Sequence, residues 1–256
     1  MKSPLLLALA SLILVQCGPP PSPLPAAGGE KEPAAAPPAH AGHHAEQHHA
    51  GAGEHPHGGH SAPTANHRFD DAERWSKVFD DPKRDAWQKP DEVVKELGLA
   101  PADVVADLGA GTGYFSGRLA RAVPKGKVFA IDIEPSLVEH MKKRAEREGT
   151  ANVEPVLGTA SDPKLPPGVN VVLVVDTYHH IGERPDYFRR VRERLASGGR
   201  VVVVDFKLGK FPVGPPDDHK LAPEVVIKEM GGAGYQKCKA FDGLPYQYML
   251  TFAEKC

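Results

Sequence analysis

Five short, valine-rich apolar runs constrain the fold of this 256-residue chain more than any other feature; they occupy residues 103–108, 127–132, 153–158, 169–176 and 200–206. Each run is apolar at most odd and even positions alike, so neither face of a strand built from it can be left in water. Such strands belong in the middle layer of a sheet covered on both sides. Between them, residues 113–122, 136–148 and 185–196 carry apolar side chains at spacings of three and four, which predicts helical crossovers. Two further helical segments, 72–81 and 89–99, precede the first run, with Pro90 suited to a first helical turn and Gly98 to a helix end. The chain closes with two strand-like runs separated by Asp242-Gly243-Leu244-Pro245. The expected architecture is α/β: a doubly wound, mostly parallel seven-stranded sheet with a C-terminal antiparallel hairpin. Ligands of such sheets lie at the carboxyl ends of the strands, so the residues just after each run carry the function.

The first 68 residues have a different composition. Of the 51 residues from 18 to 68, 39 are Pro, Gly, Ala or His, and the stretch contains no Ile, Val, Phe, Tyr or Trp. Without apolar surface to bury, nothing offsets the entropy of ordering it, so we read it as a disordered tether to a folded domain over 69–256. Nine of the 13 His fall in this tether. Neutral imidazoles on a flexible chain can gather on Zn, Ni or Cu; a solvated linker and a weak metal-binding segment both remain open. Residues 1–17 place Lys2 before an apolar run from Pro4 to Val15, too short to cross about 30 Å of hydrocarbon but the right length for a secretory signal. Leu14-Val15-Gln16-Cys17 resembles a bacterial lipoprotein lipobox. That resemblance implies a lipidated Cys17, attachment to the membrane and a place in the cell envelope; an uncleaved N-terminal anchor, or a cytoplasmic protein with an unprocessed signal, is the alternative.

From residue 69 onward the chain has 28 basic and 29 acidic residues, which gives no electrostatic reason to expect nucleic acid. If the terminal hairpin turns near residues 243 and 244, Cys238 faces a position near 249 and Cys256 lies several residues away. Two free thiols are therefore expected, despite the export signal.

After the first run comes Asp107-Leu108-Gly109-Ala110-Gly111-Thr112-Gly113-Tyr114. A dinucleotide fingerprint would need Gly or Ala at 114, and Asp107 would repel a pyrophosphate. A carboxylate beside close-approach glycines suits a ligand carrying positive charge. The D-x-G-x-G-x-G loop resembles motif I of class I S-adenosylmethionine-dependent methyltransferases, over about residues 87–253. The resemblance implies that Asp107, Gly109, Gly111 and Gly113 cradle the methionine end of the cofactor and that Asp132 binds its ribose hydroxyls. It implies roles near the adenine for Asp162, in place of a usual Asp where Thr159 stands, and near the methionine for Asp176. Gln88, in a segment similar to one that covers the cofactor, is a candidate for its carboxylate, with Trp87 as an apolar wall.

The family reaction is in-line displacement at the sulfonium methyl onto an acceptor, here expected to be a small molecule. His179 and His180 are the candidate catalytic bases, because an imidazole titrates near neutrality and follows the fourth run; His180 is slightly preferred. Tyr178, Tyr246 and Tyr248 are candidate walls of the acceptor site. No metal is expected in the domain itself. A second reading is an envelope-tethered binding protein that keeps the fold without the chemistry. Its motive is that S-adenosylmethionine is made in the cytoplasm while the leader points outward.

Overall fold

The computed structural model describes residues 71–256; the signal, Cys17, the His-rich tether and Phe69 and Asp70 of the expected domain lie outside them. Parallel strands β1 (Val104–Leu108), β2 (Lys127–Asp132), β3 (Val153–Leu157), β4 (Val169–Val175) and β5 (Leu195–Phe206) join antiparallel β6 (Gln236–Phe241) and β7 (Gln247–Ala253) in one seven-stranded sheet. The order is β3-β2-β1-β4-β5-β7-β6, so the chain runs outward from β1 in one direction and then in the other. The switch falls between β1 and β4, and it brings the ends of those two strands side by side, with Leu108 opposite Val174.

Helices α1 (Ala72–Phe79), α2 (Arg84–Gln88) and α3 (Pro90–Glu96) precede the sheet; α4 (Ser116–Ala122), α5 (Pro135–Glu148), α6 (Arg184–Arg192) and α7 (Pro223–Gly232) connect its strands. The alternation of the strands explains the two helix layers. Val171, Leu173, Val202 and Val204 pack on one face with Leu119 of α4 and Val93 of α3, whereas Val172, Val174, Val201 and Val203 pack on the other with Phe188 of α6 and Met230 of α7. All eight valine and leucine side chains of this central pair are at most 1% exposed. Burial of each stabilises the fold by about 1.5–3 kcal/mol, which makes β4 and β5 the rigid platform for whatever stands at their ends. α5 shows how the sequence sets its limits. Pro135 fits its first turn, Leu137 and Met141 bury one stripe, and Gly149 ends it at φ +66°.

Three features differ from the sequence reading. Arg84–Gln88 forms a separate short helix, made possible because Lys89 adopts a left-handed conformation and serves as the junction to α3. β5 begins at Leu195, inside the expected helix, with a register shift between Val169 and Val171 of β4 absorbing the extra residues. Most consequentially, Cys238 and Cys256 form a disulfide, with Cα atoms 5.3 Å apart. The hairpin loop is wider than expected, so Phe241 pairs Met249 and the register at Lys237 reaches Phe252. A bulge between Lys237 and Lys239 displaces Cys238 from the ladder, and the chain bends beyond Ala253, bringing Cys256 back to it.

Candidate functional site

The glycine loop leaves β1 and turns at Gly109, Gly111 and Gly113, all with positive φ (+74°, +58° and +83°). The amides of its glycines and of Ala110 are already engaged. Gly109 and Ala110 donate to Ile131 O, Gly111 donates to Asp132 Oδ2 at 2.8 Å, and Gly113 donates to Ala110 O. A loop with those N–H groups satisfied internally makes a poor phosphate cradle, whatever its glycine content.

Carboxylates flank the loop instead. Asp107 is 3% exposed and accepts from Ser116 Oγ at 2.6 Å; burial raises its pKa to about 6 against the lowering effect of that hydrogen bond. Asp132 is 9% exposed and accepts the N–H of Gly111 and, through Oδ1, that of Glu134 at 3.1 Å, while burial raises its pKa. Each Asp132 oxygen keeps a lone pair for a second donor. Ile133, the next residue, is 54% exposed and offers an apolar platform beside that carboxylate. Two carboxylates, a loop whose glycine amides are engaged and an apolar platform suit a cationic ligand with a vicinal diol and a flat base, and S-adenosylmethionine has that chemistry.

The leading helices lie over the loop. Phe79 would stand 3.4 Å from a Cβ added at Gly111, Asp80 Oδ1 accepts from Thr112 Oγ1 at 3.1 Å, and Arg144 Nη1 donates to the same Asp80 oxygen at 2.8 Å. Tyr114 bonds Asp85, and its ring lies between the guanidinium groups of Arg84 (4.1 Å) and Arg118 (4.4 Å). Arg84 thus carries a positive charge into the site from α2.

Beyond the loop, a polar relay crosses the strand ends. Arg84 Nε and Nη2 donate to Gln88 Oε1, Gln88 Nε2 donates to Gln247 Oε1 at 2.6 Å, and Gln247 Nε2 donates to Asp176 Oδ1 at 2.5 Å. Asp176 stands at φ +52° with Arg84 Nη2 3.6 Å from Oδ2, and burial raises its pKa. The relay brings Gln88 to Asp176, with both ends of the fully buried Gln88 amide engaged by protein. Asp162 stands apart from this group: its exposed carboxylate binds Lys164 N and Nζ, each at 2.8 Å, and these bonds lower its pKa.

After β4, a 3-10 turn at Tyr178–His180 holds both candidate bases. His179 is 6% exposed with Nδ1 against Asp205, while His180 is less buried and its ring centroid lies 4.1 Å from that of His179. Tyr178 and Tyr248 are core residues, not acceptor walls. Tyr178 is fully buried, stacks on Phe188 and donates to Glu229, and Tyr248 donates to Leu221 O. Tyr246 and Trp87 do meet at the edge, with centroids 6.4 Å apart.

Arg84, Thr177, Asp205 and Gln247 escaped the sequence reading. A signal for Asp205 was present, because β1, β2, β4 and β5 each carry an Asp at or next to the carboxyl end: Asp107, Asp132, Asp176 and Asp205. Among the described residues, no group of three or more His, Cys, Asp or Glu is arranged to hold a metal ion.

Comparison with known proteins agrees with this geometry. A family model described as a methyltransferase domain matches residues 99–242. A protein-L-isoaspartate O-methyltransferase of Aeropyrum pernix is 35% identical over 128 residues, covering 47% of this chain and 42% of the relative. A demethylmenaquinone methyltransferase of Lactococcus lactis is 26% identical over 164 residues, 62% of each chain. The chain therefore spans less than two thirds of these relatives. The crystal structure of a SAM-dependent methyltransferase from Aquifex aeolicus superposes with TM-score 0.67 at 25% identity, over 71% of this chain and 97% of that one. A glycopeptide N-methyltransferase complexed with sinefungin, an S-adenosylmethionine analogue, shares the fold at TM-score 0.54 and 16% identity, over 64% of this chain and 85% of that one. With the loop, its two carboxylates and the strand order all in agreement, the chain belongs to the methyltransferase-domain family.

Proposed function

We propose that the domain transfers the methyl group of S-adenosylmethionine to a small-molecule acceptor at the carboxyl edge between the glycine loop, the turn after β4 and helix α2. The observation that carries this reading is the acidic loop whose glycine amides are bonded within the protein, which fits a sulfonium ligand and not a pyrophosphate. Asp107 and the glycines hold the methionine end, Asp132 the ribose, Ile133 the base, and Arg84 supplies the cation facing Asp176. When bound, the cofactor supplies an electrophilic methyl on positively charged sulfur. The protein's part is to align the acceptor with the methyl–sulfur bond and to exclude water. Calorimetric titration of the full chain with S-adenosylmethionine tests the reading: one site is expected, with affinity lost in Asp132→Ala. An absence of binding overturns it.

We further propose that the domain works outside the cytoplasm, attached through lipidated Cys17. The Cys238–Cys256 disulfide supports this, since such bonds persist in oxidising compartments, as does the signal-like leader. Mass analysis of the mature N-terminus in a membrane fraction is expected to find Cys17 lipidated. Weak metal binding by the tether's imidazoles is a separate proposal, tested by zinc titration of the full chain.

A further inference from the structure

The loop that follows β5, residues 207–222, holds apolar side chains out in solvent although its own framework is closed. Lys220 is buried, and its Nζ donates to Gly209 O and, at 2.9 Å, to Asp217 Oδ1. The same Asp217 oxygen accepts the Gly209 N–H at 3.0 Å, so one buried ammonium and one carboxylate clasp the two ends of the loop. Gly214 lies against Phe206, where an added Cβ would come within 2.5 Å of the ring. A slack loop would fold its leucine and phenylalanine inward. This one is pinned with Leu208 54% exposed and Phe211 partly exposed.

Rings from two other elements extend the surface. Phe211 lies 5.2 Å from Tyr246, in the turn before β7, and Tyr246 lies 6.4 Å from Trp87 of α2. Tyr246 and Trp87 are also partly exposed, whereas their chain neighbours Gln247 and Gln88 are fully buried with their amides bonded to each other. The result is an apolar patch of Trp, Tyr, Phe and Leu over a polar layer whose amides are already bonded within the protein. Trp and Tyr with one apolar and one polar end settle at the boundary between lipid headgroups and acyl chains. The loop's charges nearly cancel, with Lys207, Lys210 and Lys220 against Asp217 and Asp218, so apolar burial and not net charge is what this surface offers a partner.

The position of the patch says which partner. β5 ends at Phe206 and antiparallel β7 begins at Gln247, its register partner, so the patch stands at the carboxyl edge of the parallel strands. The chain enters the domain at that same edge: Phe79, the last residue of α1, lies against Gly111, and Asp80 accepts from Thr112. Fifty-one residues, 18–68, lead from Cys17 to this entry point. A membrane that holds Cys17 therefore keeps this edge in its neighbourhood, and a face of modest affinity then engages it, because attachment turns docking into an intramolecular event.

We propose that this patch is a membrane-docking face: Trp87, Leu208, Phe211 and Tyr246 enter the headgroup layer of the bilayer that holds Cys17, and the carboxyl edge of the sheet is turned toward the lipid. The proposal rests on the reading of Cys17 as the membrane attachment. Docking driven by apolar side chains survives salt, which screens attraction between exposed charges.

The chain has two tryptophans, Trp75 and Trp87, so Trp75→Phe leaves Trp87 as the reporter of this face. The full-length Trp75→Phe chain is coupled through Cys17, the one cysteine outside the disulfide, to a maleimide lipid in vesicles of phosphatidylethanolamine and phosphatidylglycerol. The coupling supplies the attachment whether or not a cell lipidates that residue. Trp87 emission is expected to move to shorter wavelength and to fall about twofold or more when the acyl chains carry bromine near the headgroups, in low and high salt alike. Leu208→Glu combined with Phe211→Glu abolishes both changes, while the urea midpoint stays that of the parent chain. If that pair of changes unfolds the chain, Leu208→Glu alone must weaken the quenching. Trp87 emission that is unmoved and unquenched on the coupled vesicles, or quenching that survives the glutamates, overturns the proposal. A dimer of the free chain in ultracentrifugation that the same glutamates dissolve assigns the face to a second copy and overturns it as well. An unmodified Cys17 in the mass analysis overturns the membrane attachment instead, and is read separately from docking.

Discussion

Gly109 and Thr177 sit so close that a Cβ on the glycine would lie 2.3 Å from both Oγ1 and Cγ2 of the threonine. The contact joins the glycine loop after β1 to the turn after β4, where the strand order reverses. Gly109 also stands at φ +74°, a conformation that side chains resist. Gly109→Ala is therefore expected to cost about 1–3 kcal/mol in urea unfolding and to weaken cofactor binding. Adding Thr177→Gly removes the clash but not the strained φ, so it should restore only part of the stability. Full restoration would show that the contact alone matters.

Asp107 predicts the pH dependence of cofactor binding. Its pKa is raised from 3.8 to about 6, so the native state holds the proton more tightly than the unfolded chain does. Its contribution to stability therefore falls as pH rises from about 4 to about 6. Binding of a cationic ligand has the opposite sign, because it needs the ionised carboxylate. Affinity is expected to rise about tenfold between pH 5 and 7, measured by calorimetry, and Asp107→Asn should flatten that dependence. Ser116→Ala removes the hydrogen bond that lowers the pKa, and should move the rise to higher pH.

How much of this was legible in the sequence depends on the range of the interactions. The five valine runs and the loop from Asp107 to Gly113 could be read because strand burial and glycine conformation are local properties. So could Asp132, since a strand that ends in a carboxylate places it at the sheet edge. Asp205 ends its strand in the same way, but its partner comes from a turn 26 residues earlier. Gln88 was singled out while Gln247, 159 residues away, was not, and only the closed sheet brings the two amides together. The disulfide was misread because a single bulge at Cys238 and a bend after Ala253 decide it, and neither has a signature in a short exposed strand.

Arg184 and Glu229 join α6 to α7 beneath the turn that carries the two histidines. Arg184 Nε and Nη2 contact the two carboxylate oxygens at 2.7 and 2.9 Å, Nη1 donates to Ile181 O at 3.1 Å, and Tyr178 donates to the same carboxylate. The side chains are only 8% and 18% exposed. Arg184→Met strands a buried carboxylate and should cost about 3–5 kcal/mol in urea unfolding. Replacing both residues, Arg184→Met with Glu229→Leu, should cost less than the single change. If the double variant is the less stable, the pair is worth more than its desolvation and the expectation fails.

The Cys238–Cys256 disulfide separates stability from function. It closes a span of 18 residues around β6 and β7, and β6 is an exposed strand that, among the described residues, lies at the sheet edge and pairs with β7 alone. Constraining a loop of that length in the unfolded chain contributes about 3 kcal/mol. Cys238→Ser combined with Cys256→Ser should therefore lower the unfolding free energy by about that amount, and a reductant should lower it equally in the wild type and not at all in the variant. The bond lies at the end of the hairpin where Gln236 pairs Ala253, whereas Gln247, which reaches Asp176, lies at the other end. Cofactor affinity is accordingly expected to stay within about twofold, since the strand ends that form the site are held by β4 and β5. A large loss of affinity on reduction, with the protein still folded, would show that the hairpin transmits strain along β7 to the Gln247–Asp176 contact.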